Sequence, residues 1–176
     1  MLSELRKSLI VSQLVLCGIS STVVADEVKW RLSKVNDTLL LYTADTDDGT
    51  DAIGSLHFQG KVGSGLVEVA KAIQDKSERA AIGKLVLDDS YPTLELSPGP
   101  GTSSLDAITM SDISGWGYRF QVSPDTAAFD LFKKTGIFKF KIGSAAIQYG
   151  IKAGLDKIAQ FQSACRRPSD RPKASK

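Results

Sequence analysis

Apolar and polar residues alternate with period two along several stretches of the chain. Val28, Trp30 and Leu32 face one way, with Lys29, Arg31 and Ser33 opposite. Leu56 and Phe58 oppose Ser55, His57 and Gln59, and Leu94 and Leu96 oppose Thr93, Glu95 and Ser97. Trp116, Tyr118, Phe120 and Val122 oppose Arg119 and Gln121, and Phe138, Phe140 and Ile142 oppose Lys139 and Lys141. One buried face and one wet face is the signature of antiparallel sheet. Less regular strands are predicted over Thr38–Thr43, Leu66–Ile73, Lys84–Leu87 and Leu105–Met110. Turn residues separate them at Asp45–Asp51, Gly60–Gly65, Ser97–Gly101 and Ser114–Gly115.

The pattern predicts two helices. The first opens at Ser123-Pro124-Asp125, with Ser123 as N-cap and Pro124 at the first helical position, and stops near Gly136. The second opens with Ser144 as N-cap after Gly143. Ile147, Ile151, Leu155, Ile158 and Cys165 then form one apolar stripe, with Gly150 and Gly154 inside the helix. The expected fold is α+β: a single domain, mainly antiparallel β-sheet or sandwich, with a short helix and a C-terminal amphipathic helix packed on it. Many strands followed by helices argue against a doubly wound parallel sheet.

The N-terminus changes the picture of where this domain works. Arg6 and Lys7 precede an apolar stretch from Leu9 to Ile19, and Val23 and Ala25 fit the −3 and −1 places of a cleavage site. The apolar run is short of the roughly 20 residues that span a membrane. The expectation is a signal peptide over 1–25, a globular domain over 26–165 and a mature protein that is periplasmic or secreted, without a transmembrane anchor. Cys17 suggests lipoprotein processing, but the residue before it, Leu16, is large.

The whole chain carries +2. Loss of Arg6, Lys7 and Glu4 brings this to +1, and five of the remaining basic residues sit in 166–176 beside Pro168 and Pro172. That segment reads as a basic, solvated, disordered tail. The body without it is acidic on balance and shows no clustered basic face, so nucleic acid is not an expected partner.

Candidate chemistry is sparse. His57 is the only histidine, on the polar side of its strand, and no G-x-S-x-G elbow accompanies it. The run Asp45-Thr46-Asp47-Asp48-Gly49-Thr50-Asp51 offers oxygen ligands, but Thr50 stands where a calcium loop needs Gly and Leu56 where it needs Glu. A hairpin turn is the simpler reading. Gly60, Gly63 and Gly65 lack the G-K-[ST] ending of a phosphate loop. Asn36-Asp37-Thr38 is a glycosylation sequon. Trp116, Tyr118 and Phe120 fit a core-facing strand better than an aromatic platform. Cys165, on the apolar stripe, is expected to be buried. No catalytic, cofactor-binding or metal-binding residue is assigned, and no cofactor.

The end of the chain, F-K-F-K-I-G-S-A-A-I followed by G-L-x-x-I-x-x-F-x-x-x-C from Phe138 to Cys165, carries a resemblance. With Trp30 and the strand around Leu56 and Phe58, it resembles invasion-associated locus B-like proteins, small exported proteins of alphaproteobacteria. It is also similar to type VI secretion accessory proteins of the VasI/TagO kind. The resemblance implies a non-enzymatic accessory or interaction protein whose partner is another envelope or secreted protein. The alternatives are a secreted hydrolase or metal-dependent enzyme using Asp45–Asp51, and a small-ligand-binding sandwich. The resemblance further implies a cysteine in the strand Leu56–Lys61, where this chain has Gly60 at the inward parity of Leu56 and Phe58.

Overall fold

The computed structural model describes residues 27–44, 56–73, 75–87, 93–99, 102–111 and 115–168. Residues 1–25, expected as a signal peptide, the Asp45–Asp51 run and residues 169–176 lie outside them. The elements follow in chain order as β1 (Lys29–Val35), β2 (Thr38–Ala44), β3 (Leu56–Lys61), β4 (Val67–Ala72), α1 (Lys76–Leu87), β5 (Thr93–Leu96), β6 (Thr102–Ser111), β7 (Gly115–Val122), α2 (Ala127–Thr135), β8 (Ile137–Ile142), β9 (Ala145–Gly150) and α3 (Leu155–Cys165).

All pairings are antiparallel, and the strands hydrogen-bond in the order β1-β2-β3-β4-β7-β6-β5-β8-β9. The sheet has two leaves that share β6. Residues Thr102 to Ser104 of β6 pair with β5, and Leu105 to Ser111 pair with β7. The register shifts between Leu105 and Ala107, where the strand passes from one leaf to the other. A bulge bends a strand and raises its twist, which suits such a corner. The leaves face each other: the ring of Phe58 on β3 lies 5.1 Å from that of Phe138 on β8. The α+β fold with one β-rich domain is therefore as the alternation predicts.

The core is aromatic. Phe58 meets Trp30 at 5.9 Å, Phe132 at 4.9 Å, Phe129 at 5.7 Å and Phe161 at 6.4 Å between ring centres. Each such side chain contributes about 1.5–3 kcal/mol by leaving water. Tilted and edge-on pairs add about 0.5–1.5 kcal/mol beyond that. Helices α2 and α3 supply Phe129, Phe132, Ile158 and Phe161 to this cluster and cover the inner face of the first leaf.

Three local expectations need correction. The segment over Lys84–Leu87, expected as a strand, is the end of α1. Its start signal is Asp75, whose Oδ1 accepts from the backbone N–H of Ser77 at 2.7 Å and of Glu78 at 3.1 Å. That D-x-x-E spacing is a capping signature. The first helix over the C-terminal half begins three residues later than expected: Thr126 is the N-cap of α2, and Ser123 instead accepts from Asp125 N–H in the preceding turn.

The third correction is larger. No helix opens at Ser144. Gly143-Ser144 is a two-residue hairpin loop, with Ile142 and Ala145 as the closing pair and Gly143 at φ 54°. The stripe Ile147-Ile151-Leu155-Ile158 mimics a helical period because a strand and a helix follow each other. Gly150 and Gly154 are not helix-interior residues. A Cβ on Gly150 would lie 2.0 Å from Gly136 O, and one on Gly154 would lie 2.4 Å from Trp30 O. Both mark places where backbone packs on backbone, at the end of β9 and at the start of α3. Trp30 joins them, donating its backbone N–H to Ala153 O at 3.0 Å and its indole N–H to Gly136 O at 3.0 Å.

The expected burial of Cys165 is met, and it is fully buried. A Cβ on Gly60 would lie 2.6 Å from its Sγ, so the inward face of β3 meets the buried face of α3 there. Burial pushes the thiol up to about 12. The turn after β3 caps α3: Gly63 and Gly65 donate to Ala164 O and Cys165 O, both at 2.8 Å. This satisfies carbonyls that a helix end leaves open. Packing continues past Cys165: Arg166 lies 2.6 Å from Asp125 and 3.6 Å from Asp130. No helix among the described residues is long and apolar enough to cross a membrane.

Candidate functional site

The candidates singled out in the sequence do not converge. His57 is exposed on the outer face of β3, opposite Ala70 in β4. Crowding by its neighbours lowers its pKa, and Glu68 opposes that shift. Tyr118, Phe120 and Val122 face the core, as expected for that strand. Asn36 sits in the β1–β2 turn at φ 56°. Among the described residues, no three His, Cys, Asp or Glu side chains are grouped to hold a metal ion.

The polar cluster is elsewhere. On β4 the inward parity runs Val67, Val69, Lys71, all buried. A buried lysine is costly unless paired and hydrogen-bonded. Here β7 places Tyr118 directly across from Lys71, and α1 brings Glu78 down from its first turn. Lys71 Nζ donates to Glu78 Oε2 at 2.8 Å, and Tyr118 OH donates to Glu78 Oε1 at 2.5 Å. Lys71 is 6% exposed, Glu78 4% and Tyr118 1%. Burial raises the Tyr118 pKa, and its hydrogen bond to Glu78 raises it further, so the phenol keeps its proton.

Lys71 and Glu78 floor a pocket of about 340 Å³, with Tyr118 buried behind them. Asp75 and Ser77 stand at its rim, and residues 145–149 of β9 form the far wall. The Asp75 carboxyl is held below the usual carboxylate range, first by the Ser77 hydroxyl and then by the N–H groups that it caps. Lys71 Nζ spends a second N–H on Ala72 O at 3.1 Å. Its third N–H has no acceptor among the described residues. Chemically, Glu78 is an acceptor with both oxygens engaged, Tyr118 a donor held neutral and Lys71 a cation with one donor to offer. The set presents no freed nucleophile.

One signal could have revealed this cluster in the sequence. Lys71 is a charged residue at the apolar parity of Val67-x-Val69-x-Lys71, two residues before Ile73. Its partners come from 7 and 47 positions further along the chain, Glu78 and Tyr118. Nothing local pairs them.

A second surface lies at the opposite end of β3 and β4. Val35, Val62 and Leu66 are exposed there, at 68%, 43% and 48%. The β1–β2 and β3–β4 turns are joined by Val62 N–H donating to Asp37 O at 2.9 Å. A shallow groove between β1, β2 and α3 adjoins them, with Leu32, Leu39 and Ala164 in its walls.

No protein-family model, no curated protein and no solved structure matches this chain.

Proposed function

We propose that the protein is an exported accessory protein, periplasmic or secreted, that acts by binding another envelope or secreted protein rather than by catalysis. The observation that carries this reading is the state of the Lys71–Glu78–Tyr118 network. Its acid accepts two hydrogen bonds and its phenol keeps its proton, so the network offers donors and acceptors but no free base. The space between the leaves is filled by the rings around Phe58, which favours this reading over a small apolar ligand held in the core. The resemblance of the Phe138–Cys165 pattern to exported accessory proteins points the same way.

The reading is tested in cells that export the chain, with a photoreactive side chain placed in turn at Gln148, Val62 and Lys139. The expected result is a discrete protein adduct from Gln148 or Val62 that Lys139 does not give. Equal adducts from all three positions, or none, overturn it.

A further inference from the structure

The two ends of the sheet order are β1 and β9, and they are guarded differently. An edge strand is a template for another chain unless charge, proline, a bulge or a cover blunts it. Strand β1 carries Lys29, Arg31 and Lys34 within seven residues, and its Trp30 N–H is already bonded to Ala153 O. Strand β9 reads AAIQYG, with no charge and no proline. Among the described residues it pairs only with β8.

The hairpin register says which groups are free. In a two-residue hairpin the closing residues exchange both backbone hydrogen bonds, and hydrogen-bonded pairs alternate from there. Ala145, Ile147 and Tyr149 therefore bond to β8, and Ala146 and Gln148 turn their N–H and C=O outward. Residues of both parities line the Lys71 pocket, so it runs along the edge of β9 rather than over one face. Across it stands Lys71, a buried cation whose remaining N–H has no acceptor among the described residues.

We infer that the slot between β9 and the Lys71–Glu78 pair receives an extended, uncharged peptide segment of a partner protein as an added strand. Its backbone pairs with Ala146 and Gln148, and one of its carbonyl oxygens accepts from Lys71 Nζ. The chemistry favours a neutral backbone over an acidic or basic ligand. Lys71 and Glu78 cancel, and Asp75 at the rim disfavours a carboxylate. This is β-augmentation, in which main-chain bonds supply affinity and alternate side chains supply specificity. The inference rests on the binding reading above and adds the partner's chemistry and place.

The probe is a pool of acetylated, amidated tetrapeptides built from Val, Thr, Ala and Tyr, compared with the same pool N-methylated along its backbone. Amide nitrogen–proton spectra of the full mature chain report the site. The expected result is that the unmodified pool shifts the Ala146 and Gln148 amides and the N-methylated pool does not. Gln148→Pro removes an outward N–H without breaking a bond to β8 and is expected to weaken binding at least tenfold with an unchanged melting temperature. Lys71→Met is the second variant, read only where its spectrum remains folded, and is expected to weaken binding similarly. Shifts that are equal for the two pools, absent from β9 or indifferent to Gln148→Pro overturn the inference. If β9 stays silent while Val62 still gives its cellular adduct, the binding reading stands and this inference alone falls.

Discussion

The two ends of the core are built on opposite principles. At one end Trp30, Phe58, Phe129, Phe132, Phe138 and Phe161 pack ring against ring, and any of several apolar shapes of that volume would hold the leaves together. At the other, Lys71, Glu78 and Tyr118 come from three elements and depend on one another. The polar end fixes how α1 sits over β4 and β7, because Glu78 is satisfied only where both donors reach it. Taking Lys71 and Glu78 out of water costs free energy that their pairing and the Tyr118 hydrogen bond offset.

The sharpest way to break the comparison is to delete one member at each end. Phe58→Ala is expected to cost about 3–5 kcal/mol, a transfer loss plus an unfilled cavity. Glu78→Ala is expected to cost a similar 3–5 kcal/mol for a different reason: it leaves Lys71 charged and buried. Replacing the whole polar set, with Lys71→Met, Glu78→Leu and Tyr118→Phe together, separates the two. It is expected to be neutral or to stabilise by about 1–4 kcal/mol. Urea unfolding of the four proteins decides this. A triple variant as unstable as Glu78→Ala would show that the polar end is a packing element like the aromatic one.

A next-smaller effect comes from Gly60, beneath α3. Gly60→Ala places a methyl 2.6 Å from Cys165 Sγ and is expected to cost about 1–3 kcal/mol by overpacking. Gly60→Cys in oxidised form turns the same contact into a bond. It is expected to stabilise by about 2–4 kcal/mol, because the closed loop is long. Comparing melting with and without reductant reads both effects. Free thiols that persist in Gly60→Cys under oxidant would show that the strand and helix do not approach as they do here.

The aromatic end was legible in the sequence, and the polar end was not. Period-two alternation around Phe58, Phe120 and Phe138 states which side is buried, since one face of each strand must leave water. Helical spacing from Leu155 and Ile158 placed Cys165 inside. Reading by period failed at Ala145–Gly150, where Ile147 and Ile151 at a spacing of four fit a helix stripe as well as a strand end. There Gly143-Ser144, read as a helix start, was a hairpin loop. It failed too at Arg31, which alternation puts on the wet side and which is buried with its Nε donating to Ala44 O at 3.3 Å. Lys71, Glu78 and Tyr118 were not legible as a set: Lys71 is a charge at an inward parity and Tyr118 an inward aromatic, but nothing in either segment names its partners. Only the pairing of β4 with β7 and the return of α1 bring them together.

Alkaline pH sharpens the comparison, since each end buries one acid in its neutral form. Cys165 is pushed up to about 12, and Tyr118 is also raised. A raised folded pKa means that the unfolded chain releases its proton first. The stabilising effect is complete below the unfolded pKa, near 9 for this thiol, and is lost as pH climbs toward the folded value. Stability is therefore expected to fall from about pH 9 upward. Cys165→Ala is expected to remove the earlier part of that fall, and Tyr118→Phe the part that begins near pH 10. Stability measured by urea at half-unit steps checks the assignment, and a slope unchanged in both variants would place its origin elsewhere.

The smallest expected effect serves as the control, because His57 belongs to neither end. It lies on the outer face of β3, and a substitution on a wet strand face is expected to stay within about ±0.5 kcal/mol. Its pKa is lowered in the folded chain, first by crowding and only partly restored by Glu68. For a histidine the sign then runs opposite to the thiol: the folded state prefers the neutral ring, and the unfolded chain takes up a proton first as pH falls. Stability is expected to decline slightly once pH drops below about 6.5, the ordinary histidine value, and to level off below the folded one. His57→Gln keeps a polar side chain and cannot titrate, so it is expected to flatten that decline and change little else. Unfolding midpoints between pH 5 and 8 measure it. A loss well above 0.5 kcal/mol at pH 7.5 would mean that the outer face of β3 carries structure of its own.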